Sequence, residues 1–110
     1  MKIEFNKLEE KILKNFNNGE KEYRAHMYVD ESIKIMRGKL IPGASIGLHT
    51  HQGTSEIIYV LSGVGTMICD GQEEILNPGE AHYCPENSSH TFMNKTEEDL
   101  IFFAVVPKLK

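Results

Sequence analysis

Turn-forming residues interrupt this sequence at short intervals from about residue 23 onward. They fall at Pro42-Gly43, Gly53, Ser62-Gly63, Asp70-Gly71, Asn77-Pro78-Gly79, residues 85–89 and residues 94–99. The segments between them are long enough for β-strands but short for ordinary helices. Strands and turns that alternate in this way are typical of all-β barrels and sandwiches. The turn pattern therefore predicts an all-β fold for the main body of the chain.

The dipeptide Asp70-Gly71 predicts a tight hairpin between residues 66–69 and residues 73–76. A type I′ turn needs positive φ at both central residues, and Asp-Gly adopts it readily. We therefore expect two antiparallel strands joined at this point.

Two apolar runs, residues 57–61 and 100–106, lack strict alternation of apolar and polar residues. Such runs are typical of strands that are covered on both faces. We expect a facing sheet on one side and a helix or a second subunit on the other. Because the sequence offers few helices for this role, we expect a homodimer.

Residues 1–22 differ from the rest and predict a short helical appendage, with the main domain spanning residues 23–110. Asn6 followed by Glu9 resembles a capping box, and residues 17–19 resemble a helix stop. Apolar residues recur between them at helical spacing: Leu8, Ile12 and Phe16. We expect this helix to pack on the main body, with a partner-binding helix as the alternative.

The chain has 110 residues, of which 40% are apolar and 25% charged, and this size fits one domain. Its formal charge is −4, with neither sign concentrated in a block. Proteins that bind nucleic acids or anionic membranes use dense Lys and Arg patches. The charge pattern argues against both classes of partner.

The longest apolar run, residues 100–106, has seven residues, whereas a membrane span needs about 20. The first residues carry charges and form no apolar signal-peptide core, so we expect a cytoplasmic protein. Cys69 and Cys84 are too few for a disulfide framework and too far apart for a CxxC motif. We expect both to be reduced thiols.

His49 and His51 form an HxH pair, followed by Glu56 and, much later, by His90. In an extended strand, residues two apart project from the same face, so both imidazoles can reach one metal ion. Three imidazoles and one carboxylate can hold a divalent transition ion and leave positions open. An isolated HxH pair is more often exposed or hydrogen-bonded, so the full spacing decides the interpretation.

That spacing resembles the two signature motifs of the cupin superfamily. The first motif is carried by Gly43, His49, His51, Glu56 and Gly63. The second is carried by Gly79, Pro85, His90 and Asn94. Asn87 stands where the second motif usually has a glycine, and because Asn tolerates the left-handed region we expect the turn to be kept.

The resemblance implies a double-stranded β-helix, which is a small jelly-roll barrel, here in a single domain with the short N-terminal helix. It also implies that His49, His51, Glu56 and His90 are metal ligands. The ion would be zinc, iron, manganese, nickel, cobalt or copper, which this ligand set does not distinguish. The alternative is a purely structural polar cluster that has lost its metal. Single-domain cupins commonly pair, which agrees with the expected homodimer.

His82, Tyr83 and Tyr59 are the candidate acid or base groups beside an open metal site. Strand alternation places His82 and Cys84 on one face and Tyr83 on the other, without showing which face is inside. Cys84 is interpreted as a small buried residue, with a nucleophile as the alternative.

Other candidates lie outside the motifs. His26 is interpreted as structural or surface-exposed. Tyr59, Met67 and Phe92 are expected to line the barrel or its mouth.

Three functions fit these features. The first is a small metalloenzyme, a dioxygenase or an isomerase/lyase, acting on a compact polar molecule. The second is a non-catalytic module that binds a small ligand or a metal, and the third is a structural subunit. An acid or base group beside the metal would favour the enzyme, whereas an apolar pocket without one would favour the binding module.

Overall fold

The computed structural model describes residues 1–109, which form two antiparallel β-sheets packed face to face. The strands are β1 Glu10–Lys14, β2 Glu22–Val29, β3 Ile33–Leu40, β4 Ser45–Thr50, β5 Glu56–Ser62, β6 Gly65–Cys69, β7 Gln72–Leu76, β8 Ala81–Cys84, β9 Ser89–Met93 and β10 Leu100–Pro107. The six-stranded sheet has the order β1-β2-β3-β10-β5-β8, and the four-stranded sheet has the order β4-β9-β6-β7. The predicted all-β jelly-roll is confirmed.

The hairpin predicted at Asp70-Gly71 joins β6 to β7. Both central residues have positive φ, +50° at Asp70 and +81° at Gly71. The paired residues run from Gly65 opposite Leu76 to Cys69 opposite Gln72. The short turn thereby fixes which side chains of β7 share the inner face with β6.

The core lies between the two sheets and is centred on three aromatic rings. Phe102 of β10 is fully buried, with the Tyr23 ring stacked at 5.7 Å and the Phe92 ring edge-on at 5.2 Å. Met67 and Phe92 are 0% and 1% exposed, which confirms that they line the interior. Aromatic rings at these distances contribute packing energy beyond the area that they bury.

Strand β5 alternates between a buried and an exposed face. Glu56, Ile58 and Val60 point inward, whereas three apolar neighbours on the same strand stay exposed. These neighbours are Ile57, Tyr59 and Leu61, which are 46%, 43% and 44% exposed. The expectation that Tyr59 lines the barrel is wrong, because alternation puts it on the outer face. Within residues 1–109, no helix covers these three side chains on the outer face of β5.

The N-terminal helix predicted for residues 1–22 is wrong. The segment forms a 3-10 turn at Phe5–Lys7, the strand β1, and a second turn at Phe16–Asn18. Asn15, Asn17 and Asn18 all have positive φ, between +51° and +64°, which is incompatible with a helix. Asn6 does not cap a helix, since its Oδ1 accepts a hydrogen bond from Arg37 Nη1 at 3.4 Å.

Pairing with β2 explains why the local helical spacing is overridden. All five residues of β1 are in register with β2, from Glu10 opposite His26 to Lys14 opposite Glu22. The ladder satisfies backbone groups that an isolated two-turn helix would leave partly open. The first turn also places Phe5 edge-on against Phe103 at 5.6 Å, covering part of β10. The division of the chain into residues 1–22 and 23–110 stays a prediction.

Helical structure within residues 1–109 is limited to the two 3-10 turns. None of it is long and apolar enough to cross a bilayer. The cytoplasmic location expected from the sequence stays a prediction.

Candidate metal centre

The four predicted ligands come from three strands that converge at one end of the barrel. His49 lies one residue before the end of β4, opposite His90 on β9, and Glu56 begins β5. His51 follows β4, and the chain then bends at Gly53, where φ is +71°. The bend lets Glu56 return toward the histidines from the other sheet.

A turn on the neighbouring strand holds His51 in place. The His51 N–H donates to Ser88 O at 3.1 Å, and the Asn87 N–H donates to His51 O at 2.7 Å. Asn87 has φ of +73°, so it adopts the left-handed conformation that the usual glycine would adopt. The departure from the second motif therefore leaves the turn intact.

The metal-facing atoms of the four side chains lie in mutual contact distance. His90 Nε2 is 3.0 Å from His51 Nε2, 3.1 Å from His49 Nε2 and 3.0 Å from Glu56 Oε1. His51 Nε2 is also 3.1 Å from Glu56 Oε1. His51, Glu56 and His90 are buried, and His49 is partly buried.

The outer ring nitrogens show which atoms are free to bind an ion. His49 Nδ1 donates to the carbonyl of Gly47 at 2.7 Å, so its Nε2 carries a lone pair. His51 Nδ1 lies 2.8 Å from Thr54 Oγ1, and His90 Nδ1 lies 3.2 Å from His82 Nε2. Lone pairs and a carboxylate turned toward one point repel one another unless a cation or protons lie between them. The donor set therefore fits a divalent transition ion.

One divalent ion could contact all four side chains at once, because their ligand atoms all lie within 4.8 Å of one another. Transition ions differ in how many ligands they accept, so an ion held by these four side chains could keep positions open for other molecules.

The electrostatics of the cluster favour the metal-binding forms of Glu56 and His49. Burial alone raises the pKa of Glu56, but the hydrogen bonds and charges of His51 and His90 outweigh it and lower this pKa to about 2. Burial also lowers the pKa of His49 below its usual range. At neutral pH the carboxylate is thus ionised and the His49 ring is neutral.

A cavity of about 370 Å³ opens beside the four clustered side chains. Its walls are mostly apolar, formed by Phe16, Tyr23, Met36, Ile46, Ile58, Phe92 and Val106. Asp30, Lys34 and Lys108 also line it. The Tyr23 hydroxyl donates to Met36 Sδ at 3.2 Å, a weak acceptor that a stronger one could replace.

Of the three predicted acid or base groups, none lines this cavity. Tyr83 and Tyr59 lie on the outer face of β8 and β5 and are 61% and 43% exposed. His82 is buried, but it contacts the outer nitrogen of His90 and so lies behind His90 as seen from the cluster. Their predicted catalytic role has no support from these positions.

The remaining predicted residues take structural positions. His26 Nδ1 donates to Leu8 O at 2.9 Å, in agreement with its structural interpretation. Cys69 and Cys84 are free thiols, as predicted. Burial raises the pKa of Cys84 to about 12, which supports a packing role over a nucleophile.

Two residues that contact the histidines, Thr54 and Glu74, were not predicted from the sequence. Thr54 contacts His51, and Glu74 Oε1 lies 2.9 Å from His82 Nδ1. Glu74 was detectable in principle, because the predicted hairpin places it opposite Met67 and therefore on the same, inner face. Thr54 lies in a loop and carried no such signal.

Comparison with known proteins agrees with this fold and site. The chain is 33% identical over 100 residues to an oxalate-binding protein of Thermotoga maritima, covering 86% of this chain and 83% of that protein. It is 36% identical over 61 residues to a quercetin 2,3-dioxygenase of Bacillus subtilis, covering 56% of this chain but 18% of the enzyme.

Solved structures and a family profile point in the same direction. A crystal structure of a predicted oxalate decarboxylase from Thermotoga maritima superposes with a TM-score of 0.92 and 28% identity, covering 99% of this chain and 100% of that one. The profile of the cupin domain matches residues 36–106, which include all four clustered side chains. This chain belongs to the cupin family.

Proposed function

We propose that His49, His51, Glu56 and His90 bind a divalent transition-metal ion and that the chain is a small metalloenzyme of the dioxygenase class. The observation that carries this proposal is the convergence of four donor atoms beside an apolar cavity. A bound ion would supply a Lewis acid or a site for O₂ activation next to that cavity. Zinc, iron, manganese, nickel, cobalt and copper all suit the donor set.

Dioxygenase chemistry suits the geometry better than isomerase or lyase chemistry. A bound ion with positions left open by its four protein ligands would accept a substrate oxygen and O₂. The three groups predicted to move a proton in an isomerase or lyase, His82, Tyr83 and Tyr59, lie outside the cavity. The likeness to part of a quercetin 2,3-dioxygenase supports the same choice.

The cavity walls also bear on the class of substrate. The sequence suggested a compact polar molecule, but Met36, Ile58 and Phe92 offer apolar surface. Burying each CH₂ group contributes about 0.8 kcal/mol, or about fourfold in affinity. We propose a substrate with a chelating oxygen head and an apolar body, with the Tyr23 hydroxyl donating to the head.

A non-catalytic binding module is the second candidate. It is favoured by the absence of the three predicted acid or base groups from the cavity lining within residues 1–109. An oxalate-binding protein among the relatives agrees with it. The dioxygenase and the binding module would use the same metal site, but only the dioxygenase would convert its ligand to a product.

Calorimetric titration of metal-loaded protein tests the substrate class. The ligands are oxalate and a series of 2-oxo acids with tails of increasing length. We expect affinity to rise about fourfold with each added CH₂ group until the cavity is filled. Metal-free protein is the control and should bind none of them. Oxalate binding as tightly as the longest tail would contradict an apolar body.

Oxygen consumption separates the two candidates. Anaerobically prepared iron, manganese, nickel, cobalt and copper forms are mixed with catechols, 2-oxo acids and diketones in the presence of O₂. We expect turnover with at least one metal form. Binding without turnover by any of these forms would reject the dioxygenase and retain the binding module.

We further propose that two copies of the chain pair through the exposed face of β5 and β8. Ile57, Tyr59 and Leu61 of β5 lie beside Tyr83 of β8 and form an apolar patch. Such a patch on a six-stranded sheet suits a self-complementary dimer contact. Light scattering should give twice the 12.5 kDa of one chain.

Charge substitution on this patch tests the dimer. Tyr83→Glu places a carboxylate in the patch and should shift the protein to the monomer mass. Leu48→Glu is the matched control, because Leu48 is 68% exposed on the other sheet. A monomeric wild type, or a dimer that survives Tyr83→Glu but not Leu48→Glu, would rule out this interface.

A further inference from the structure

A chain of hydrogen bonds runs outward from His90 through His82 to Glu74. His90 Nδ1 lies 3.2 Å from His82 Nε2, and His82 Nδ1 lies 2.9 Å from Glu74 Oε1. The two imidazole rings are stacked at 5.3 Å with an interplanar angle of 30°. The His82 side chain is 3% exposed, whereas that of Glu74 is 51% exposed. These hydrogen bonds therefore connect the buried cluster to the protein surface.

This series of hydrogen bonds crosses between the two sheets. His90 on β9 and Glu74 on β7 belong to the four-stranded sheet, whereas His82 on β8 belongs to the six-stranded sheet. Alternation along β8 turns His82 and Cys84 inward and Tyr83 outward. His82 thus reaches its two partners because the strand register points it into the space between the sheets.

The two hydrogen bonds that join His90, His82 and Glu74 have one consistent direction. The Glu74 carboxylate accepts, so His82 Nδ1 carries the proton and donates it. In a neutral imidazole the other nitrogen is then an acceptor, so His82 Nε2 accepts from His90 Nδ1–H. That arrangement leaves the lone pair of His90 on Nε2, the atom that faces His49, His51 and Glu56.

We propose that His82 and Glu74 are positioning residues that hold His90 in the tautomer and ring orientation needed to bind the metal. This inference rests on the proposed metal site and adds the two residues that prepare one of its ligands. Partners of this kind change metal affinity by about 10- to 100-fold when they are removed. His82 therefore acts through His90 and does not touch the substrate.

A second arrangement of the same residues is less consistent with the contacts. Cys69, His82 and Cys84 have ligand atoms within 4.8 Å of one another and form a group that could hold a soft metal ion. Both ring nitrogens of His82 are already hydrogen-bonded to His90 and Glu74, however. A metal bound by His82 would have to displace one of these partners, so the positioning role fits the contacts better.

The test measures Co²⁺ affinity by calorimetry, with each metal-free variant checked for cooperative unfolding. His82→Phe fills the space but cannot accept from His90, and we expect it to weaken Co²⁺ binding by about 10- to 100-fold. His82→Gln carries an amide oxygen that can accept from His90 and an amide N–H that can donate to Glu74. It should recover most of the lost affinity.

Two neighbouring carboxylates provide a matched pair of variants. Glu74→Leu removes the acceptor for His82 and should lower Co²⁺ affinity. Glu73→Leu changes an adjacent glutamate whose Oε1 lies 3.9 Å from Lys95 Nζ. It should leave the Co²⁺ affinity unchanged. This pair keeps the test decisive if His82→Phe fails to fold.

Ring-nitrogen NMR of the zinc-loaded protein reads the tautomer directly. We expect His90 to be protonated at Nδ1 in the wild type. A proton on Nε2, or unchanged Co²⁺ affinity in both His82→Phe and Glu74→Leu, would overturn the inference while leaving the metal site itself intact. Thiolate-to-cobalt absorption that is lost in Cys69→Ser would also overturn it, because His82 would then serve a sulfur-containing site. If the wild type binds no Co²⁺, the proposed function fails first.

Discussion

Chelator-stripped protein should gain roughly 15 to 30 °C in Tm when a fitting divalent metal is added at a thousandfold excess over its Kd. Binding at this excess stabilises the native state by about 4 kcal/mol, and each kcal/mol raises the Tm of a small domain by about 4 to 8 °C. We expect the metal to bind only the folded chain, because His90 meets His49 only when β4 pairs with β9, and meets Glu56 only when the two sheets pack together. Thermal unfolding with and without Mn²⁺, Fe²⁺, Ni²⁺ or Zn²⁺ measures the gain.

Single ligand substitutions should remove most of this gain. His51→Ala and His90→Ala should each unfold near the Tm of metal-free wild type and respond little to added metal, and the double variant should add little more. His26→Ala is the matched control, since His26 hydrogen-bonds Leu8 O far from the cluster. It should keep the full gain. A wild type that gains nothing from any of the metals, or ligand variants that keep the gain, would contradict the metal site.

Phe102→Ala should lower the free energy of unfolding by about 3 to 5 kcal/mol. The ring of Phe102 is fully buried between Tyr23 and Phe92, so its loss leaves a cavity in the packed core. A domain of this size has a total stability of about 5 to 15 kcal/mol, so the variant approaches the limit of folding. Urea unfolding of metal-free protein is the appropriate measurement.

The neighbouring residue supplies the control for that substitution. Phe103 lies on the opposite face of β10 and is partly buried against Phe5. Phe103→Ala should cost clearly less than Phe102→Ala, because its site opens to solvent and leaves no closed cavity. Equal costs for the two variants would mean that the core is not centred on Phe102.

Local signals in the sequence were sufficient where backbone geometry and residue type coincide. Asp70-Gly71 supplied both positive φ angles of a hairpin, and the spacing of His49, His51, Glu56 and His90 matched the convergence seen in the structure. The turn at Asn87 was expected because the second cupin motif usually has a glycine there and Asn tolerates the left-handed conformation. The hairpin depends on a short segment with well-defined stereochemistry, whereas the ligand set and the Asn87 turn were predicted from the resemblance to the cupin motifs.

Features that depend on distant partners were not predictable in the same way. The apolar spacing of Leu8, Ile12 and Phe16 is compatible with a helix, but β1 pairs with β2 because an open sheet edge is available there. The orientation of Tyr59 and His82 follows from the register of β5 and β8, and a shift of one residue would exchange inner and outer faces.

The position of β10 in the sheet has a consequence for the order of events during synthesis. Residues 100–107 lie between β3 and β5, which are separated from them by long stretches of sequence, and bond to both. A growing chain that has produced all four metal ligands still lacks the strand that supports Glu56 on β5. Contacts between such distant segments form only when the whole loop between them can close. A finished site therefore requires residues 100–107 to have left the exit tunnel of the ribosome, so we expect stable metal binding only after β10 has joined the sheet.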